Sequence, residues 1–364
     1  DYYASRGLGD VYKRQNIDWN ISVDEIFNAM MGFEEAEVRE MFRYYQQNDM
    51  LKGDVEAMIT EMKPWYDNYC FARMSLNDDR VFNCDMTLYY LNYQVQRGSS
   101  PEEMVDKNIR TDYSKLKMLA RIDRDSVQEG DRMSTIEKIA AEGDIFVDLH
   151  TSFPAERITD IDNFRSLLYY YGLLTMCGTR GDLIKMSIPN NCVREQYFGF
   201  LRDYYQKYSS IDLHYLNVML TDMAYDGRWK PFFESVAQAY RENSAVRDAM
   251  EGERNLQGFL KAYLALASYY LVEPELEMNY GYCDFFLLPD KKRYPDVKHS
   301  YILELKYATR TATDAELEVQ ALEGRKQLLR YSEDKIVRCL SEGTTLHRLL
   351  LQFRGWDLVR CEEV

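Results

Sequence analysis

Two short β-rich runs joined by a charged connection, Asn279–Leu288 and Tyr301–Tyr307, constrain this chain more than any other stretch. Both are bounded by turn-forming residues and are rich in aromatic and aliphatic side chains, so they read as consecutive strands. Side chains alternate faces along a strand. Ile302, Glu304 and Lys306 therefore share one face, while Tyr301, Leu303, Leu305 and Tyr307 take the other. The second face is wholly apolar or aromatic, hence packed. The first sets an acid beside a base in a strand that is otherwise apolar. Asp284 is equally out of place, because Phe285, Phe286, Leu287 and Leu288 come after it without a break, as in a strand covered on both faces. Charges in such places are costly unless paired or bound to metal. Three of them on two adjacent strands mark a candidate site.

Glu-x-Lys alone carries little, since it recurs at Glu61–Lys63, ahead of Pro64, and at Glu333–Lys335, in a charged helical stretch. A solvated ion pair at a sheet edge would explain Glu304 and Lys306 without any chemistry. Asp284 argues against that reading, as does the helix expected from about Ala249 to Leu271. Its stripe of Leu256, Leu260, Tyr263, Leu264, Ala267 and Leu271 has helical spacing. Glu253 and Gln257 lie at the N-terminal end of that stripe, where a core-facing helix ordinarily carries apolar residues. An acid in a first turn also complements the helix dipole, so Glu253 gains chemical meaning only from the strands downstream of it.

The resulting order is helix-Glu, strand, Gly-x-x-Asp strand, Glu-x-Lys strand, helix. This resembles the PD-(D/E)xK nuclease superfamily, and specifically the nuclease-like domain that lies behind an AAA-ATPase-like domain in many bacterial proteins. The resemblance covers about residues 235–364 and carries over Glu253, Gly281, Asp284, Glu304 and Lys306. The next helix, expected from Asp314 to about Leu340, contains Gln320, Gln327 and Tyr331. The family often keeps a glutamine or lysine there, and either glutamine fits. The fold so implied is α+β overall: a mostly helical N-terminal two-thirds, then a restriction-endonuclease-like α/β domain with a mixed sheet flanked by helices. The expected strand order ends with Thr345–Phe353 and a further run near Trp356–Cys361.

A chain of 364 residues suggests two domains, and 46% apolar with 29% charged content fits a globular protein. No uninterrupted apolar stretch of about 18 residues exists and the first residues show no signal-peptide pattern, which points away from a membrane and toward the cytoplasm. Seven cysteines, odd in number and without Cys-x-x-Cys spacing, argue for reduced thiols rather than a disulfide framework or zinc site. The four histidines (150, 214, 299 and 347) share no metal-ligand spacing, and no Gly-x-Ser-x-Gly elbow occurs. Net charge is −15, yet residues 251–364 hold 16 Lys+Arg against 19 Asp+Glu, a net of −3. The acidity sits mainly outside the nuclease-like region. Arg325, Lys326 and Arg330 on the late helix are placed to meet phosphates, or simply form a solvated face.

Residues 1–15 do not fit the rest of the chain and resemble translated adapter read-through; they are set aside as non-native. From Asn16 to about Lys63 the pattern is helical, with Ser22 and Glu25 spaced as a capping box and a second helix over Glu34–Asp49. The aromatic stretch Trp65-Tyr66-Asp67-Asn68-Tyr69-Cys70-Phe71 and the later Val81-Phe82-Asn83 are most simply a packed loop. They also resemble segments near the end of the AAA-ATPase-like domain of the same proteins, with Asn68 and Cys70 where glycine and arginine are frequent. That implies residues 16–120 are its C-terminal remnant, in a chain truncated upstream. Gly-Lys never occurs, so no Gly-x4-Gly-Lys phosphate loop and no ATP site is expected. Residues 121–234 read as a helical linker region: a helix over Phe164–Leu174 capped by Asp162, a hairpin of Leu173–Cys177 with Leu183–Ile188, and an aromatic-rich helix to about Tyr208. Helix, hairpin and helix would suit a winged nucleic-acid reader, but tyrosines replace a basic face.

Two functions of different classes fit these residues. One is Mg²⁺- or Mn²⁺-dependent hydrolysis of nucleic-acid phosphodiesters, with Asp284 and Glu304 as metal ligands, Glu253 assisting and Lys306 acting on water or phosphate. Gln320 or Gln327 would position these groups. The other is a catalytically silent nucleic-acid- or protein-binding module that keeps the fold and its acids as structure.

Overall fold

A computed structural model describes residues 23–78, 80–105, 114–120, 129–153, 157–158, 160–206, 212–242, 253–267, 269–278, 281–291 and 293–364. The expectations for residues 1–15 and Ser22, for the start of the helix at Ala249 and for Asn279–Tyr280 lie outside this set. The described residues divide into two compact units, one drawn from residues 1–128 and 144–194, the other from 129–143 and 195–364.

In the first unit a 3₁₀ helix, Glu25–Met31, is capped by Asp24, whose side chain accepts from Ile26 N at 3.0 Å. Strand β1 (Phe33–Glu34) leads into α1 (Glu35–Gln47), then α2 (Val55–Tyr66), β2 (Val81–Phe82) and α3 (Cys84–Arg97). Val38, Phe42, Met62, Tyr66, Phe82 and Tyr90 from these elements form a shared core. The tyrosine-rich turn between α2 and β2 is held by the backbone and by short polar side chains. Tyr69 bridges to Val81, Cys70 N donates to Thr175 Oγ1 at 2.7 Å, and Asn68 Nδ2 donates to Pro189 O at 2.9 Å. Asn68 has φ of 83°, a left-handed conformation that glycine adopts freely and asparagine tolerates.

Helices α4 (Ser114–Ala120) and α5 (Glu129–Glu142) precede β3 (Asp144–Val147), α6 (Ile161–Tyr170), β4 (Thr175–Arg180), β5 (Leu183–Ser187) and α7 (Asn191–Gln206). The expected hairpin is β4–β5, but it is joined by the unforeseen β3 in an antiparallel sheet of order β3-β5-β4. Helix α6 starts three residues earlier than expected and stops at Tyr170. Its N-cap is Asp160, and Asp162 lies within the first turn, where its charge still suits the dipole.

The second unit contains α8 (Leu213–Asp226), α9 (Lys230–Glu242), α10 (Glu253–Leu264), β6 (Tyr270–Met278), β7 (Gly281–Pro289), β8 (His299–Ala308), α11 (Asp314–Ser332), α12 (Lys335–Leu340), β9 (Thr345–Arg354) and β10 (Asp357–Glu363). The strands form one mixed sheet of order β10-β9-β8-β7-β6, in which only β8 and β9 run parallel. Helices cover both faces. Tyr301 reaches α8, donating to Met223 O at 2.6 Å, and Phe353 packs on Tyr240 of α9, which in turn packs on Phe259 of α10. On the other face Cys283, Phe286, Ile302 and Leu350 pack against Ala321, Leu328 and Tyr331 of α11. The α+β class, with a helical N-terminal part and a mixed C-terminal sheet, is as expected.

Two boundaries differ. Helix α10 ends at Leu264, and Leu271 belongs to β6 rather than to the helical stripe. The single helix expected to Leu340 is two. Thr313 opens α11 with a capping box to Glu316, while Asp334 accepts from Ile336 N at 2.8 Å and starts α12 afresh.

Candidate active site

Strand β8 carries its charged pair as the alternation requires. Tyr301, Ile302, Leu303 and Leu305 are all buried, and Glu304 between them is only 3% exposed. Lys306 answers it, its Nζ lying 2.7 Å from Glu304 Oε1. The other carboxylate oxygen, Oε2, is buried without a hydrogen-bond partner among the described residues, which is costly for an acid unless something positive or a donor reaches it.

Asp284 is held differently. The β7 and β8 strands pair in register only from Phe285–Leu303 to Leu287–Tyr301, although both run several residues further. At the point where the ladder stops, the Asp284 side chain replaces a backbone acceptor: Leu305 N donates to its Oδ2 at 2.7 Å. Its Oδ1 accepts from Gln257 Nε2 at 3.2 Å, a donor supplied by α10. Asp284 thus sits in a fork between two strands, gripped from the strand backbone and from a helix.

Burial and neighbouring charges act on both acids. Burial pushes both carboxyls above their ordinary range; the charge of Asp284 adds to this for Glu304, and the charge of Glu253 adds for both. Lys306 and, for Asp284, the Leu305 N–H and Lys261 pull the other way. Glu253 itself is exposed at the start of α10. One helical turn beyond Gln257, Lys261 is 2% exposed, with its ammonium 6.0 Å from the Phe285 ring centroid. Neither Gln257 as a partner of Asp284 nor Lys261 as a buried charge was assigned by sequence reasoning. The i, i+4, i+8 spacing of Glu253, Gln257 and Lys261 is the signal that was available.

Helix α11 closes the other side. Gly324 allows the close approach: a Cβ would lie 2.7 Å from Leu350 Cδ1 and 3.4 Å from Lys306 Cε, so the bare backbone lets the helix press onto the sheet beside the lysine stem. One turn on, Gln327 Nε2 lies 3.5 Å from the Tyr331 hydroxyl, and Gln327 Oε1 is buried without a partner among the described residues. Burial, with the nearby charges of Glu304, Cys283 and Asp284, pushes the Tyr331 hydroxyl up to about 12. Tyr331 thus feels the charge of the acids, and Gln327 reaches it from the preceding turn of α11. Gln320 is engaged elsewhere, donating to Tyr307 O at 3.3 Å and accepting from Gln352 at 3.4 Å. Arg325 is paired with Glu362 at 2.7 Å. Cys283 is fully buried and burial raises its thiol, which suits packing and not nucleophilic attack.

Residues 251–363 match the family model described as the PD-(D/E)XK nuclease superfamily. The C-terminal sheet is a nuclease-superfamily domain. The chain matches none of the curated proteins with which it was compared. Nucleases of this superfamily generally use divalent metal ions. Among the described residues no group of three or more His, Cys, Asp or Glu side chains is arranged around a common metal position. The domain offers two close acids instead. That donor set suits a magnesium-like ion, which binds through one or two carboxylates, keeps several waters and shares the substrate's phosphate oxygens. The partnerless Glu304 Oε2 is an oxygen such an ion would satisfy.

Two of the four histidines, far apart in the chain, meet in the fold. His299 Nδ1 lies 2.8 Å from His347 Nε2, and His347 Nδ1 lies 2.7 Å from Glu363 Oε1. Parallel pairing of β8 with β9 causes this, placing His347 opposite Tyr301. Both rings share the Tyr301 side of the sheet, opposite to Glu304, and take no part in the acid pocket. All seven cysteines are free, and no described helix is long and apolar enough to cross a membrane.

Proposed function

We propose that the C-terminal domain is a divalent-metal-dependent nuclease that hydrolyses phosphodiester bonds of nucleic acid. The observation that carries this reading is the fork: Asp284 and Glu304 are brought together on adjacent strands, with Lys306 beside them and a buried Glu304 oxygen left over. Asp284 and Glu304 would hold a Mg²⁺ or Mn²⁺ ion, with the exposed Glu253 assisting through water. A bound ion would supply charge to polarise the phosphate and acidify the attacking water. Lys306, already at the rim with its ammonium on Glu304, orients that water or meets the charge that develops on the phosphate oxygens. Gln327 and Tyr331 of α11 would border the acids on that side. Gln320, bonded to the end of β8 through Tyr307, supports the strand and not the acids.

A silent module that keeps the fold is the competing reading, favoured by the fact that Lys306 already satisfies one Glu304 oxygen as a plain ion pair would. In the first unit, residues 16–120 are proposed as the end of an AAA-ATPase-like domain. The Asn68 turn supports this, because its left-handed backbone is the geometry a glycine at that position would serve. Cation titration separates the two readings of the C-terminal domain. Calorimetry of the full chain with Mn²⁺, beside Asp284→Asn, should give weak saturable binding to the parent that the variant loses. No binding to the parent under conditions where it is folded sinks the metal-dependent reading.

A further inference from the structure

Gln257 stands out once the fork is built. It sits near the start of α10, between Glu253 and Lys261 on one face of the helix, and its side chain is half-buried. Its amide reaches past the last paired rung of β7 and β8 to Asp284 Oδ1 at 3.2 Å. An ionised carboxylate only accepts, so the amide must present its NH₂ to Asp284. With Leu305 N on Oδ2 at 2.7 Å, each oxygen of Asp284 then has one protein donor and one lone-pair direction to spare.

The residue type matters. A lysine or arginine at this position would neutralise Asp284 and compete with any cation for it. An apolar residue would leave Oδ1 without this donor and the carboxylate held through Oδ2 alone, by Leu305 N. A neutral amide fixes the carboxylate and leaves its charge intact. Lys261, one turn further along α10, is a buried residue (2% exposed) whose charge favours the ionised form of Asp284, with its ammonium 6.0 Å from the Phe285 ring centroid. Glu253, one turn earlier, is exposed and carries like charge to Asp284. Gln257 is the neutral donor between them.

We propose that Gln257 is a positioning residue that presents Asp284 to a divalent cation, and that it sets the cation affinity of the site without touching the cation. This rests on the proposed metal-holding role of Asp284. A purely structural role would predict a change in stability and none in cation affinity; a positioning role predicts the reverse.

The test is calorimetric titration of the full chain with Mn²⁺, with thermal melts of the metal-free proteins alongside. Two variants are compared: Gln257→Leu, which keeps the bulk and removes the donor, and Gln257→Asn, which keeps the amide and withdraws it by one methylene. Both should raise the Mn²⁺ dissociation constant by about 10–100-fold, the size of effect seen when a partner that orients a metal ligand is lost, while melting stays close to the parent. If the leucine variant does not fold, the asparagine variant carries the test. Folded variants that bind Mn²⁺ as the parent does overturn the positioning role and leave the metal reading standing. A parent that does not bind Mn²⁺ overturns the metal reading, and this inference with it.

Discussion

Replacing Gly324 by alanine sets two effects of opposite sign against each other. Glycine inside a helix costs about 1 kcal/mol relative to alanine, so at an unconstrained position the change would stabilise by that amount. Here the new Cβ would lie 2.7 Å from Leu350 Cδ1, whereas relaxed carbon contacts need about 3.5–4.0 Å. Leu350 is fully buried in the cluster with Ile302, Ala321 and Leu328. Relief must come from an off-rotamer leucine, at about 0.5–1.5 kcal/mol, or from α11 lifting off the sheet. Overpacking of this kind costs about 1–3 kcal/mol, and the net expectation is a loss of about 0–2 kcal/mol. The same Cβ would lie 3.4 Å from Lys306 Cε, so any shift of α11 moves the wall along which that lysine lies. Urea unfolding should show no gain in stability, and cleavage of nucleic acid should fall. A variant about 1 kcal/mol more stable than the parent, with unchanged cleavage, would refute the close approach and its bearing on Lys306.

Three further outcomes are expected. Lys306→Ala should lower cleavage by a factor on the order of 10²–10³, as for loss of one charge-stabilising group, while Mn²⁺ still binds in calorimetry; loss of binding instead would make Lys306 a structural partner of Glu304. Burial pushes the Glu137 carboxyl up to about 7, against the hydrogen bond that Tyr205 donates to it at 2.7 Å. An acid with a raised folded value takes up a proton on folding, so its contribution to stability falls as pH rises from the ordinary carboxylate range through about 7. Glu137→Gln should therefore help more at pH 8 than at pH 5, by about 2–3 kcal/mol at most; equal urea midpoint shifts at the two pH values would contradict this. Finally, the purified chain should show no saturable ATP hydrolysis, because it contains no phosphate-cradling loop, and measurable turnover would show another nucleotide site.

How far the chain could be read in advance depends on the range of the interactions. Alternation along β8 is local, so the shared face of Ile302, Glu304 and Lys306 was legible from seven residues. Asp284 was legible because a carboxylate ahead of four apolar residues has few bland explanations. Helix ends were less so: Ala267 and Leu271 continue the helical spacing of α10, yet an apolar run suits a buried strand equally well, and Leu271 went to β6. The break between α11 and α12 rests on a single cap, Asp334, inside a charged stretch that is otherwise helical. The grip of Gln257 on Asp284 spans 27 positions and the meeting of His299 with His347 spans 48. Both are set by strand pairing and helix placement, which spacing in the chain does not encode. The four-residue β3 was missed because its ladder partner, β5, lies about forty residues downstream.

The most direct measurement of the central claim is cleavage of a mixed panel of single- and double-stranded DNA and RNA by the full purified chain, with Mg²⁺ or Mn²⁺ and with excess chelator. The fork of Asp284, Glu304 and Lys306 predicts cleavage of at least one substrate that the chelator abolishes and that Asp284→Asn lacks while remaining folded. A well-folded parent that leaves the whole panel intact with either ion, or cleavage that Asp284→Asn retains in full, would contradict it.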